Sequence, residues 1–252
     1  MIQVVSRVGQ ILGCFSATRP TMTLTECAAL TGLTKSSAYR ILVSLEEIGL
    51  VERHESRWRL GQRLGLLASI RQGHLDLQRE ASPRLQELGR HFRAAVAYAV
   101  PDGDQMVYIE RHESPDPFAP SARLGSRAPI WAGAAGRAVL SRLTPEERQR
   151  RLDSDEWRKL PQDARRAVAE EVERAQAVGY ATDPGGFFEG VAGVAVALRD
   201  PRGEPVATLS VIVTPERLTE SERDAIGTNL VSTARHLELT MNWGAAVDEA
   251  AG

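Results

Sequence analysis

The chain has 252 residues, 42% of them apolar and 25% charged, which is enough to bury a core of one or two domains and excludes a mostly disordered polar chain. No apolar run approaches the ~20 residues of a membrane span, and Met1-Ile2-Gln3-Val4-Val5-Ser6-Arg7 lacks the basic and long apolar regions of a secretion signal; no membrane association is expected, and the cytoplasm is the expected compartment. The net charge of −2 hides an asymmetry: residues 1–72 hold nine Lys/Arg against five Asp/Glu (+4) and the remainder 22 against 28 (−6), as in a polyanion-binding module joined to a different, acidic one.

Val5, Val8, Ile11 and Leu12 share one face of a first helix that ends before Pro20. Thr23-Leu24-Thr25-Glu26 is a capping box, so a second helix starts there and runs to about Thr31, where Gly32 supplies the left-handed residue that stops it. Thr34 caps a third helix whose Ala38, Ile41, Leu42, Leu45 and Ile48 fall at core spacing. Its free face then carries Ser36, Arg40 and Val43, flanked by Lys35, Ser37 and Tyr39, the hydroxyl, cationic and phenolic groups that reach phosphates and base edges from a helix N-terminus in a major groove. Gly49 closes the helix, and Leu50–Arg53 and Arg57–Leu60 read as two strands around a His54-Glu55-Ser56 tip, with Trp58 and Leu60 inward and Arg57 and Arg59 outward. Together these pieces predict a winged helix-turn-helix over residues 1–61.

Residues 62–80 are expected to form a linker helix bearing Leu64, Leu66, Leu67 and Ile70, and Pro83 is expected to start or kink the helix after it. From there the pattern turns to strand. Ala94–Val100 and Met106–Arg111 flank Pro101-Asp102-Gly103-Asp104, and Val191–Arg199 and Pro205–Val213 flank Asp200-Pro201-Arg202-Gly203, two hairpin signals. Helices are predicted at Ala134–Leu143, Pro145–Leu152 and Gln162–Val178, with a last one from the Thr219-Glu220-Ser221-Glu222 capping box. Strand pairs mixed with helices, without βαβ alternation, make residues 81–252 an α+β domain with an antiparallel sheet.

Catalytic signals are absent: no Gly-x-Ser-x-Gly elbow, phosphate loop, His-Glu-x-x-His or dinucleotide glycine motif occurs, and His54, His74, His91, His112 and His236 are dispersed. Neither metal nor cofactor is expected, and no enzyme activity. A sensory enzyme assembled from distant residues, or an architectural dimer that ignores metabolites, remain as alternatives. Cys14 and Cys27, too few for a disulfide framework, sit on the inward sides of the first two helices as small hydrophobes; a redox role would require an exposed thiol of low pKa.

From about Val4 to Met241 the chain resembles the IclR family of bacterial transcriptional regulators. The residues that carry the likeness are Leu24-Thr25-Glu26, Gly32-Leu33-Thr34-Lys35-Ser36-Ser37-Ala38-Tyr39-Arg40, Leu45-Glu46-Glu47-Ile48-Gly49-Leu50-Val51-Glu52-Arg53 and Trp58-Arg59-Leu60-Gly61. In the second half they are Val107–Arg111, Gly125–Pro129, Ala135-Gly136-Arg137-Ala138, Gly179-Tyr180-Ala181 and Leu209-Ser210-Val211. The resemblance implies a ligand-responsive regulator with a winged helix domain on double-stranded, palindromic operator DNA and a GAF-like domain holding a small effector. It implies a homodimer or a tetramer built as a dimer of dimers, with repression the favoured outcome. Lys35, Ser36, Ser37, Tyr39 and Arg40 then become groove and phosphate contacts, Arg57 and Arg59 wing contacts, and Arg7 a further phosphate contact.

The same resemblance places Asp183 and Ser210 as polar effector contacts and the amides of Ala134 and Ala135 at a helix start suited to an anionic group. Where the family often has His, Cys and a second Ser, this chain has Trp131, Gly193 and Ile212. Glycine opens volume and isoleucine removes a hydroxyl, so with Phe118 and Ile130 the implied effector is larger and less polar than a small keto acid: an aromatic or acyl compound keeping a carboxylate or other polar end. The other reading, that Trp131, Phe118, Ile130 and Ile212 only fill a core, stays open.

Overall fold

The computed structural model describes residues 3–16, 19–70, 72–116 and 120–241. The chain divides into two compact units, Met1–Gln72 and Gly73–Gly252.

The first unit contains α1 (Gln3–Leu12), β1 (Thr21–Thr23), α2 (Leu24–Thr31), α3 (Lys35–Glu47), β2 (Val51–His54), β3 (Arg57–Leu60) and α4 (Gln62–Ile70). Thr23 Oγ1 accepts from the Glu26 amide at 3.2 Å while the Glu26 carboxylate accepts from the Thr23 amide at 2.6 Å, and Gly32 ends α2 at φ 69°. The second and third helices are thus set by their caps. β3 is the central strand of an antiparallel sheet in the order β1-β3-β2. Strand β1, three residues long, is too short for an alternation to announce it.

Ile11, Met22, Cys27, Ala38, Leu42, Leu45, Val51 and Trp58 are buried together as the core of this unit. Burial pushes the Cys27 thiol up to about 11, the direction of a packed, unreactive cysteine. Three residues assigned inward by periodicity lie outside: Val5, Ile48 and Leu60 are 61%, 49% and 46% exposed. Val5 stands nearly two turns ahead of Ile11, Ile48 caps α3 after its last turn, and Leu60 is the final residue of its strand. Periodicity runs on to an element's end, whereas its packing partners stop short of it.

The second unit has α5 (Gln72–Phe92), β4 (Ala95–Asp102), β5 (Gln105–His112), β6 (Arg127–Pro129), α6 (Gly133–Leu140), α7 (Pro145–Leu152), α8 (Asp155–Lys159), α9 (Gln162–Val178), β7 (Ala181–Asp183), β8 (Ala192–Arg199), β9 (Pro205–Val213) and α10 (Glu220–Thr240). Pro83 neither starts nor breaks α5, which is continuous through it. Its missing amide removes one helix bond, while Leu77, Ala81, Leu85, Leu88 and Phe92, all on one stripe, remain buried against the sheet.

The six strands form one antiparallel sheet in the order β6-β5-β4-β9-β8-β7. Its two faces differ in side-chain size. Val96, Tyr98, Val194, Val196, Leu198, Leu209 and Val211 pack with α5 and α10. Ala97, Ala99, Ala195 and Ala197 occupy the other face, on the side of α6, and the register sets Ser210 of β9 between Ala97 and Ala195. Short side chains let α6 approach closely: an added Cβ at Gly193 of β8 would stand 3.9 Å from Ala134 Cβ on α6, and at Gly136 it would stand 1.7 Å from the carbonyl oxygen of Ile130 in the segment leading into that helix.

Candidate functional site

In the first unit the exposed surface of α3 begins with Lys35 and Ser36 and continues through Tyr39 and Arg40. Thr34 Oγ1 accepts from the Ser37 amide at 3.3 Å and lies 3.1 Å from Ser36 Oγ and 3.0 Å from Ser37 Oγ, so a compact hydroxyl cluster marks the helix start. Among the described residues, Lys35 and Arg40 have no ion-pair partner, which leaves both charges available to a polyanion.

The two hairpin arginines differ. Arg57 donates to Thr21 Oγ1 at 2.8 Å and to the Thr21 carbonyl at 3.1 Å, and pairs with Glu26 at 3.3 Å. Arg59 makes a two-pronged bond to Glu52 at 3.0 and 2.8 Å, and the other oxygen of Glu52 accepts from the Gln62 amide. Both guanidiniums face outward yet are tied to their own domain. Arg53, which sequence reasoning passed over, lies 5.7 Å over the Trp58 ring. Arg7 lies on α1.

In the second unit a cavity of about 290 Å³ opens on the small-residue face of the sheet. The N-terminus of α6 (Gly133, Ala134, Ala135), Asp183 on β7, Gly193 on β8, and Ser210 and Ile212 on β9 all line it. Ile130 and Trp131 do not. Ile130 is fully buried, and Trp131 is 6% exposed, packing edge-on to Phe187 with ring centroids 4.8 Å apart and tilted against Trp157 at 6.1 Å. Both belong to the core beside α6, because Gly136 packs directly onto Ile130 and fixes that segment under the helix. Phe118 lies outside the described residues.

Sequence reasoning missed Tyr108, Arg123, Ser126 and Phe188, which also line the cavity, and Arg137, which pairs with the lining residue Asp183. Asp183 is 3% exposed; its Oδ1 accepts from the amides of Gly185 and Gly186 at 3.3 and 3.2 Å and faces Arg137 Nη1 at 3.4 Å. Arg137 Nη1 also donates to the Thr182 carbonyl at 2.9 Å. The signal for Arg137 was there: one arginine in a helix otherwise made of Gly, Ala, Val and Leu. Burial, and then the negative charge of Asp183, push the Tyr108 phenol up, so it stays protonated and able to donate.

The Ser210 hydroxyl is buried with no hydrogen-bond partner among the described residues. The N-cap of α6, Ala132, offers no side-chain bond to the first amides of the helix. Buried polar groups are normally satisfied, so a hydroxyl donor-acceptor and uncapped amides around one cavity form a set that a polar ligand group would complete. Among the described residues no three His, Cys, Asp or Glu come together as a metal site, and no helix is long and apolar enough to cross a membrane.

Comparison with known proteins places this geometry. The model of the bacterial transcriptional regulator IclR C-terminal domain matches residues 72–239, and that of the IclR helix-turn-helix domain matches residues 4–55. The HTH-type transcriptional regulator Rv1719 of Mycobacterium tuberculosis is 30% identical over 90% of this chain and 88% of its own length. The HTH-type transcriptional regulator KipR of Bacillus subtilis is 35% identical over a shorter stretch, 51% of this chain and 52% of that protein. In fold, the crystal structure of an IclR homolog complexed with 4-hydroxybenzoate, from Microbacterium hydrocarbonoxydans, matches with a TM-score of 0.71 at 24% identity, over 92% of this chain and 99% of the other. The chain belongs to the IclR family of bacterial transcriptional regulators, DNA-binding proteins and not enzymes.

Proposed function

We propose that this regulator is switched by a small aromatic or acyl effector that carries one carboxylate or other polar end. The observation that carries the reading is the buried Ser210 hydroxyl, without a hydrogen-bond partner among the described residues, in a cavity of about 290 Å³ next to the start of α6, which has no side-chain cap. The polar end sits at Ser210 and the amides of Ala134 and Ala135, with Asp183 and Tyr108 offering an acceptor and a donor, while Ala122, Phe188, Val191 and Ile212 enclose the apolar part. The absence of a side chain at Gly193 leaves room for a ring. Support also comes from the structural neighbour bound to 4-hydroxybenzoate, a ligand of that size and type.

On the DNA side, Lys35, Ser36, Ser37, Tyr39 and Arg40 contact one half of a palindromic operator, with Arg57, Arg59 and Arg7 at its flanks, and a homodimer or dimer of dimers supplies the second half-site. Effector binding favours one of two arrangements of the paired DNA-binding domains, and repression relieved by the effector is the simplest outcome. The cytoplasm is where such a protein works.

The test is fluorescence anisotropy on the chain's own upstream intergenic DNA in a salt series, repeated with benzoate, 4-hydroxybenzoate and pyruvate. Saturable, salt-sensitive binding that an aromatic acid shifts and pyruvate does not is the expected result. Pyruvate acting alone overturns the enlarged cavity, and insensitivity to every organic acid overturns the effector reading.

A further inference from the structure

We infer that the second unit carries another ligand site, for a phosphoryl group, at the uncovered edge of β8. Strand β7 is three residues long and pairs only with Gly193–Ala195, so among the described residues the edge of β8 from Val196 to Arg199 that faces away from β9 has no strand beside it. A cavity of about 220 Å³ fills this gap, bounded by β8, by α10, by the C-terminal end of α9 and by Arg142.

Arg142, Arg199 and Arg235 line the cavity against one carboxylate, Glu238. Arg199 is engaged: its Nε and Nη2 bond Glu238 at 3.2 and 3.1 Å, and its amide bonds the same carboxylate at 2.9 Å. Arg142 and Arg235 have no ion-pair partner among the described residues. Arg235 is exposed, and Arg142 is partly buried, donating to the Gly179 carbonyl at 3.2 Å, its one bond among the described residues. Burial, and then the like charge of Arg199, push the Arg142 guanidinium pKa down, an effect that Glu238 opposes without cancelling, so a bound anion would supply a partner for a partly dehydrated charge.

Capping of α9 accounts for Arg142 alone; it does not account for a second unpaired arginine on α10 facing the same space. The lining carries a formal charge of +2, which a phosphate monoester, at about −2, neutralises, and two guanidinium forks match phosphate oxygens in pairs. The site is distinct from the cavity at Ser210. Gly193 and Arg199 stand six residues apart on β8, roughly 20 Å at ~3.3 Å per residue.

Calorimetric titration of the full chain with inorganic phosphate, glycerol 3-phosphate, malonate and chloride, at constant ionic strength, tests the assignment. Saturable binding of a phosphate compound, weakened about tenfold or more in Arg142→Gln and in Arg235→Gln and unchanged in Arg123→Gln at the other cavity, is expected. Inorganic phosphate bound as well as the ester identifies the free ion, and tighter ester binding identifies a phosphorylated metabolite. Arg235→Gln on the exposed face of α10 keeps the test valid if Arg142→Gln unfolds. Loss of binding in Arg123→Gln, tighter binding of malonate than of phosphate, equal heat from chloride, or unchanged binding in Arg235→Gln each overturn the proposal.

Discussion

Arg137 Nη1 stands 3.4 Å from Asp183 Oδ1, with the two side chains only 11% and 4% exposed, so a nearly enclosed ion pair joins α6 to β7. Removing one partner of such a pair leaves the other charge buried and unpaired, a loss of about 3–5 kcal/mol, whereas replacing both by neutral groups of similar size is far milder. Arg137→Met should therefore destabilise the chain strongly in urea unfolding, and Arg137→Met combined with Asp183→Asn should recover much of that loss. Equal instability of the single and double variants would show that the arginine's bond to the Thr182 carbonyl, rather than the pair, holds this corner.

Two glycines near the cavity separate packing from binding. At Gly136 an added Cβ meets backbone, the Ile130 carbonyl oxygen at 1.7 Å, and neither side can yield. Gly136→Ala should cost more than about 2 kcal/mol or prevent folding. At Gly193 the nearest atoms are the Val211 carbonyl oxygen at 3.2 Å and Ala134 Cβ at 3.9 Å, so a methyl group intrudes on the cavity with only small backbone adjustment. Gly193→Ala should fold, with a melting temperature near wild type, and weaken aromatic effectors relative to small keto acids in calorimetry. Unchanged selectivity would place the ligand away from β8.

How much of this was legible depended on whether a signal was local. The caps at Thr23, Gly32, Thr34 and Thr219 are satisfied within a few residues, and the helices they predict are present. The turn signals at Pro101-Asp102-Gly103-Asp104 and Asp200-Pro201-Arg202-Gly203 likewise announced the hairpins β4–β5 and β8–β9, though not that the alanine face of the sheet would hold a cavity. Asp183, Ser210 and the α6 start came from family resemblance. Tyr108 and Phe188 did not, because their place depends on sheet order and on the loop after β7, which no spacing encodes. Trp131 illustrates the opposite error: a large aromatic beside the right helix reads as ligand-facing until Gly136 is seen to draw its segment into the core.

On DNA, the unpaired cations of α3 and the tied arginines of the hairpin should behave differently. Lys35→Ala and Arg40→Ala should each weaken operator binding and lower the salt slope by about 1 in anisotropy titrations, as expected for one lost phosphate contact. Arg59 must leave Glu52 to reach a phosphate, so Arg59→Ala should have a smaller effect. Glu52→Gln, which frees that guanidinium, should tighten binding to operator and random DNA alike. Weaker binding in Glu52→Gln would instead mean that the Arg59–Glu52 pair presents the wing in its binding geometry.

Acid should act on the first unit through two carboxylates. The Glu26 carboxyl is held below the usual range by the Thr23 amide and hydroxyl and by Arg57, and that of Glu52 by the Gln62 amide and then by Arg59. Both pKa values are lower folded than unfolded, so their contribution is fully present above the unfolded value of about 4.3 and is lost as pH falls through the folded values. Glu26→Gln/Glu52→Gln removes the charge while keeping an acceptor on each side chain. The double variant should melt below wild type at pH 7, with the gap closing below about pH 4 as wild type takes up the same protons. Circular dichroism melts from pH 7 to pH 3.5 read that gap directly. A gap that stays constant across the range would show that the two side chains act through shape and neutral hydrogen bonding, with their charge contributing nothing to the fold.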